Sequence, residues 1–291
     1  MARLIQIKDM EEGEIFCKWL DSRLIRNNQN ILGVELGATG SGKSYRDLRK
    51  AELWYDYHFN KKFPVENICF GIKDILERIT SGKLKKGEIL IFEEAGANLG
   101  SLDFQNKMSK MFTYVLQSFR SMNIGIFFNL PYLSMLNKTA RMLLHYSSES
   151  LSIDRDEKTN MCKLFIHQVN QHTGQIFRHT PKVIFNGAIR KVKAFRYGMP
   201  SPYLVHAYES MKQEYLSKST KEYLDKIKAQ EDADKPKRVL LTPPQLEVYK
   251  LNQEGLNQTE IGKKLGKKQS TISELLKLIA IKGYRVKSPK K

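Results

Sequence analysis

Eight consecutive residues, Gly37, Ala38, Thr39, Gly40, Ser41, Gly42, Lys43 and Ser44, have the types and order to hold a phosphate. They fit G-x-x-x-x-G-K-[ST], a loop whose glycines let backbone N–H groups close around an anion. In that chemistry Lys43 reaches the β- and γ-phosphates, Ser44 offers its hydroxyl to Mg²⁺, and Tyr45 opens a helix whose dipole points its positive end at the anion. A pair of carboxylates, Glu93 and Glu94, closes a later apolar run. Adjacent acids at the carboxyl edge of a strand suit two jobs: Glu93 holding a metal's hydration shell, and Glu94 orienting and deprotonating an attacking water.

Those side chains need strands and helices to carry them. The apolar stretch Asn30 to Leu36 runs into the glycine loop and predicts a strand, with a helix over Tyr45 to Phe59. Glu66 to Phe70 and Glu88 to Phe92 predict two more strands, separated by a helix over Ile72 to Ile79. A long helix is expected over Asp103 to Met122, then a strand over Asn123 to Asn129. Helices alternating with apolar strands predict an α/β fold with a mainly parallel central sheet. Asn129, a polar side chain at the tip of the strand beside the acids, is the candidate γ-phosphate sensor. Residues 131–145 are expected to be helical and Tyr146 to Ile153 to form a strand. A hairpin of Met161 to Val169 and Gln175 to Val183 follows. Cys162, His167, His172 and His179 lie in it, but alternation sends Cys162 and His167 to opposite faces, so no metal knuckle is expected.

The 291 residues allow one large α/β domain and a small appendage, and the net charge of +18 calls for a polyanionic partner. The longest apolar run, Ile124 to Leu136, is interrupted by Asn129 and Pro131, so no membrane insertion is expected. The first residues lack the pattern of a signal peptide, and three scattered cysteines suit buried thiols in a reducing cytoplasm. Four segments are expected: a lead-in strand and helix over 1–29, a phosphate-loop domain over 30–210, a charged helical linker over 211–236, and a separate domain over 237–291.

That last segment differs in character. Residues 236–291 hold 13 Lys and Arg against 4 Asp and Glu, a net of +9. Helices are expected over Pro244 to Glu254, Gln258 to Leu265 and Gln269 to Ile281. Leu246, Val248, Leu251, Leu256, Ile261, Leu265, Ile272, Leu275 and Leu276 would form their core. This is the pattern of a small all-α helix-turn-helix domain. Lys267, Lys268, Gln269, Ser270, Thr271 and Ser273 then stand at the start of the recognition helix, the lysines for phosphates and the neutral side chains for base edges.

Gly37 to Ser44, Ile89 to Ala95 and Arg120 to Asn129 together resemble the FtsK/HerA branch of motor ATPases, over residues 30 to 210. That branch includes DNA translocases, conjugation coupling proteins, viral packaging ATPases and zonula-occludens-toxin-like phage proteins. The stretch from Leu241 to Ile272 resembles the LuxR/sigma-factor type of helix-turn-helix. The first resemblance implies a RecA-like P-loop fold, ATP and Mg²⁺ as cofactors, and a homo-oligomer, typically a hexameric ring, with an arginine entering each site from the neighbour. Arg120, ahead of Arg141, is the candidate for that role. In the family the last strand usually ends in Gln, where this chain has the shorter Asn129.

The expected function is an ATP-hydrolysing DNA motor that binds duplex DNA through its basic C-terminal domain. An ATP-dependent DNA-binding switch without translocation is the alternative. A membrane-anchored phage assembly protein is disfavoured, because no apolar anchor follows residue 183.

Overall fold

A computed structural model describes residues 5–7, 12–93, 122–234 and 240–287. The helix expected over 103–122, and with it Glu94 and Arg120, lies outside the described residues. The chain divides into two units, Met1–Thr220 and Lys221–Lys291.

The first unit is built on one mixed sheet. Its strands are β2 (Ile31–Leu36), β3 (Ile68–Cys69), β4 (Ile89–Glu93), β5 (Gly125–Leu130), β6 (Tyr146–Asp154), β7 (Thr159–Val169), β8 (Ile176–His179) and β11 (Phe195–Tyr197). The order across it is β11-β7-β6-β2-β5-β4-β3, with β8 paired to β7. From β6 to β3 all neighbours are parallel, and β7, β8 and β11 add antiparallel pairs.

Strands buried on both faces are largely apolar, so β2, β4 and β5 read as near-continuous hydrophobic runs, each broken by one polar residue near its carboxyl end, Glu35, Glu93 and Asn129. Alternation then splits them between two layers. Ile31, Ile89, Ile91 and Phe127 face α1 (Glu14–Leu20) and α2 (Lys43–Phe59), packing with Phe16, Leu20, Leu48 and Trp54. Leu32, Val34, Leu90, Phe92 and Phe128 face α3 (Ile72–Thr80) and α4 (Lys138–Leu143), packing with Ile75, Ile79 and Ala140. Strand β2 sits between β5 and β6, so the loop that leaves it opens at the middle of the sheet's carboxyl edge.

Several local expectations change. The lead-in helix starts at Glu14 and closes in a π-helical segment, Asp21–Arg26. Strand β3 is two residues long, because a 3₁₀ turn occupies Val65–Asn67. Residues 131–145 are helical only over a 3₁₀ turn at Leu133–Met135 and α4, which begins where the Asn137 side chain accepts the Ala140 N–H and caps it. The second hairpin strand stops at His179: Pro181 cannot donate to a ladder, and the chain turns away. It then forms β9 (Lys182–Phe185), which pairs with β1 (Ile5–Ile7) and β10 (Ala188–Lys191) in a separate three-stranded sheet.

Helix α5 (Pro202–Asp234) runs as one helix into the segment expected to be a charged helical linker, so the division at Thr220 falls inside a helix. Alanine and acids are compatible with a helix; Pro236 is the first residue that cannot continue one.

The second unit packs α6 (Pro243–Gln253), α7 (Gln258–Leu265) and α8 (Gln269–Ile281) around Val248, Leu251, Ile261, Ile272, Leu276 and Ile279. Leu246 points outward at 44 % exposure, and Ile279 fills the core instead. Asn257 caps α7 with bonds of 3.0 Å from the Thr259 and Glu260 N–H groups, and the Asn257 N–H donates to Glu260 Oε2 at 2.8 Å.

Candidate functional site

The glycine loop lies between β2 and α2, and its shape is fixed from outside as well as by its own residues. Gly42 has φ +74°, and a Cβ there would meet Asn160 Nδ2 at 2.7 Å. That same amide donates to the Ser41 carbonyl at 2.8 Å, so β7 holds the loop's backbone in place. The Ser41 N–H turns back onto the Ala38 carbonyl at 3.1 Å, and Lys43 Nζ donates to that carbonyl at 2.9 Å. Burial lowers the Lys43 pKa, aided by the charges of Arg46 and Lys212 and opposed by Glu93.

The expected meeting of loop and acid is present. Ser44 Oγ donates to Glu93 Oε1 at 2.5 Å, across a sequence separation of 49. One strand, β5, stands between β2 and β4, and its register places Asn129 beside both Glu35 and Glu93. Asn129 Nδ2 donates to Glu93 Oε2, while Asn129 Oδ1 is buried without a partner. The shorter amide therefore grips the acid, which gives Asn129 a positioning contact in this structure.

Helix α5 adds two residues that sequence reasoning missed. Tyr208, 1 % exposed, donates its hydroxyl to Glu93 Oε1 at 3.0 Å, and Lys212 Nζ donates to that hydroxyl at 3.0 Å. Burial above all, and then the neighbouring Glu93, pushes the Tyr208 phenol well up, so it stays a donor. Tyr45 packs edge-on against Tyr208 and donates to Glu209 Oε1 at 2.9 Å.

Behind the loop lies a second missed feature, a buried charge cluster. Glu35 of β2 accepts from Arg46 Nε at 2.6 Å and Lys50 Nζ at 2.5 Å, and none of the three side chains is exposed. Arg46 also donates to Asn160 Oδ1 at 2.5 Å and Ser150 Oγ at 2.9 Å. Lys50 sits over the rings of Phe16, Tyr146 and Tyr197. Burial raises the Glu35 pKa, but Lys50 and Arg46 outweigh it and hold the carboxyl below its usual range. Asp47 goes the other way: burial first, then Glu35, raise it well above the ordinary value, and neither of its oxygens has a partner. Glu35 thus pins α2 to the sheet, and Arg46 and Asn160 extend the grip to the glycine loop.

A cleft of about 450 Å³ opens over the loop from Gly40 to Arg46, walled by Ile153 to Arg155 and Lys158 to Asn160 of the β6–β7 turn and by Tyr208, Glu209 and Lys212. Gly37, Ala38 and Thr39 form the turn before it. The residues suit a nucleotide with a divalent metal: a loop closed to any Cβ at Gly42, a lysine, a serine hydroxyl on a buried carboxylate, and an orphan amide oxygen beside it. Arg141 lies on α4, away from the walls named. Of the hairpin residues, Cys162 is buried, and His167 shares a hydrogen bond of 2.8 Å with Ser147.

In the second unit, Lys267, Lys268, Gln269, Ser270 and Thr271 are exposed at the start of α8, and Ser273 is half-buried. Gln269 donates to Gln258 of α7 at 2.9 Å. The turn is tight: a Cβ on Gly262 would come within 2.7 Å of the Lys267 carbonyl, so α7 and α8 approach only because that residue is glycine.

Strand, glycine loop and helix, with an acid from a second strand on the loop's serine, make an α/β fold of the P-loop type. The sequence matches no protein-family model and no curated protein. Among solved structures the chain is similar to the N-terminal domain of zonular occludens toxin from Neisseria meningitidis, at 12% identity over 53% of this chain and 95% of that one, with a TM-score of 0.32. It is similar to the genome packaging NTPase of Sulfolobus turreted icosahedral virus 2, solved with ATP-gammaS, at 12% identity over 52% and 97% with a TM-score of 0.30. A KaiC-like protein from Pyrococcus horikoshii is 14% identical over 65% and 100%, also with a TM-score of 0.30. Overlaps of this size leave the function to the site's own chemistry.

Proposed function

We propose that the chain is a Mg²⁺-dependent ATPase that drives DNA movement, with the basic three-helix unit as its DNA-binding domain. One contact supports the nucleotide assignment above all others: Ser44 Oγ on the Glu93 carboxylate at 2.5 Å. It brings together the two groups that would share a metal from residues 49 apart in sequence. The loop's backbone amides and Lys43 bind the phosphates, Ser44 and Glu93 hold the metal, and Tyr208 and Asn129 fix the Glu93 carboxylate. Ser44 and Glu93 would hold Mg²⁺ there, and its charge would offset that of the phosphates. Glu94, next in sequence, is assigned the water that attacks directly, with no covalent intermediate.

The polyanion is assigned as duplex DNA because the exposed lysines just before α8 stand at the entry to a helix joined to α7 by a glycine turn. Assembly into a ring, with Arg120 supplied by a neighbour, belongs to the same proposal. No helix among the described residues is long and apolar enough to cross a membrane.

The test is ATP hydrolysis by the full chain, with and without duplex DNA, over a range of salt. Stimulation by DNA that declines steeply as salt rises is expected, because a phosphate-gripping surface must release counterions. Slow turnover indifferent to DNA, with a sequence-specific footprint, would replace the motor by an ATP-dependent switch. Glu94→Gln should retain ATP binding and lose turnover; normal turnover in that variant removes Glu94 from its role.

A further inference from the structure

We propose that Lys212 is a second phosphate-binding cation of this site, supplied from α5 of the same chain and directed at the terminal phosphate of a nucleoside triphosphate. Tyr208 is its positioning residue. The proposal rests on the nucleotide assignment above and adds a residue to it.

Three hydrogen bonds carry the argument. Ser44 and Tyr208 both donate to one oxygen of Glu93, at 2.5 and 3.0 Å, and Lys212 donates to the Tyr208 hydroxyl at 3.0 Å. The lysine is thus tied to the carboxylate that meets the loop's serine, at the end of the site assigned to the metal and the outer phosphates. Lys212 lines the same cleft as Lys43 and Ser44.

Its charge is not spent elsewhere. Among the described residues Lys212 forms no ion pair, and Glu209, the carboxylate three residues before it, accepts from Tyr45 instead. Lys43 and Lys212 therefore line one cleft as like charges. The cleft of about 450 Å³ is lined by Lys43, Arg46, Arg155, Lys158 and Lys212 against Asp154 and Glu209, an excess of cations that an entering anion would offset. A triphosphate supplies that anion.

The geometry is also held firmly. The Tyr208 ring stacks near Phe70, meets Tyr45 edge-on, and lies 5.2 Å below the Lys212 ammonium. The hydroxyl accepts from Lys212 and donates to Glu93, so Tyr208 is satisfied on both sides. It links the Lys212 ammonium to the Glu93 carboxylate.

The experiment is calorimetric titration of the full chain with ATP-gammaS and with ADP in magnesium buffer, which needs no turnover. Lys212→Ala should weaken ATP-gammaS roughly tenfold, the scale of one charge-assisted hydrogen bond, and leave ADP within about twofold. Lys212→Arg should keep most of the preference for the triphosphate. Tyr208→Phe retains the ring and removes the link, so it should lose part of that preference. Equal losses for both nucleotides, or unchanged affinity for both, would overturn the role of Lys212. If the unmodified chain bound neither nucleotide, the nucleotide assignment itself would fall, an outcome distinct from either of those.

Discussion

The two units treat charge in opposite ways. In the first, Glu35, Arg46 and Lys50 are fully buried, each in contact with an oppositely charged partner, and they hold the glycine loop from behind. In the second, the core of Val248, Ile261, Ile272 and Ile279 holds no charge, Gln245 and Asn252 are buried but neutral, and the lysines before α8 stand exposed without ion pairs among the described residues. A buried pair repays its desolvation only when the geometry is good and the remaining valences are filled, so it serves to specify one arrangement. An exposed lysine contributes little to the fold and stays available to an anion. Charge in the first unit shapes a site, and charge in the second stands exposed to solvent.

Removing the buried anion should have the largest effect. Glu35→Ala leaves Arg46 and Lys50 buried without their carboxylate, and breaking a buried pair costs about 3 to 5 kcal/mol. Chemical unfolding should show this in the transition of the first unit, while the second unit's transition is unchanged. Asp47 provides the contrast within one helix. Its raised pKa means that the fold disfavours the ionised carboxyl, so Asp47→Asn, which removes that ionisation, should stabilise the first unit at neutral pH. A loss as large as that of Glu35→Ala would mean that Asp47 carries charge in the fold.

What could be read in one dimension follows the same division. The glycine loop is contiguous, so its residues announce themselves, and the acid that ends β4 is marked by the apolar run before it. The C-terminal helices show their spacing because their core is apolar and their surface polar. Leu246 misled only because apolar spacing does not say which of two neighbouring stripes is buried.

Glu35 carried a faint signal, one acid inside an apolar strand, matched by Arg46 and Lys50 four residues apart on the next helix. No spacing rule links Tyr208 to Glu93, which are separated by 115 residues and joined only by the way α5 returns to the sheet. Strands β9 and β10 were illegible for a similar reason: β9 pairs with β1, at the other end of the unit's sequence.

A smaller effect is expected from two histidines that the first unit keeps neutral. Burial, with Arg23 and His167 nearby, lowers His145 from 6.5 to about 3, and burial with Arg178 lowers His167 to about 4. Below pH 6.5 the unfolded chain takes up protons that the folded one refuses. These residues therefore favour the fold above that pH, and the contribution is lost as the pH falls toward 4. Asp47, with its raised pKa, works against them in the same window. His167→Gln retains a polar partner for Ser147 and removes one titration. The decline in the first unit's unfolding midpoint between pH 7 and 5 should become shallower by about one proton's worth. An unchanged slope would show that His167 protonates freely in the fold.

The smallest effect on folding belongs to the exposed lysines, and there the comparison is sharpest. Lys267→Ala and Lys268→Ala remove no packing and no ion pair among the described residues, so stability should move by no more than about 0.5 kcal/mol. Binding to duplex DNA should nevertheless weaken for every sequence tested, and the dependence of log affinity on log salt should fall by about one for each lysine removed. Sequence preference should respond to other residues. Gln269 is already bonded to Gln258 and Ser273 is half-buried, which leaves Ser270 and Thr271 as the free polar side chains at the helix start. Their replacement by alanine should alter the ranking of DNA sequences while leaving the salt dependence in place. If the lysine variants bind DNA as tightly as the unmodified chain at every salt concentration, the exposed charge of α8 serves another partner, and the three-helix unit is a protein-binding bundle.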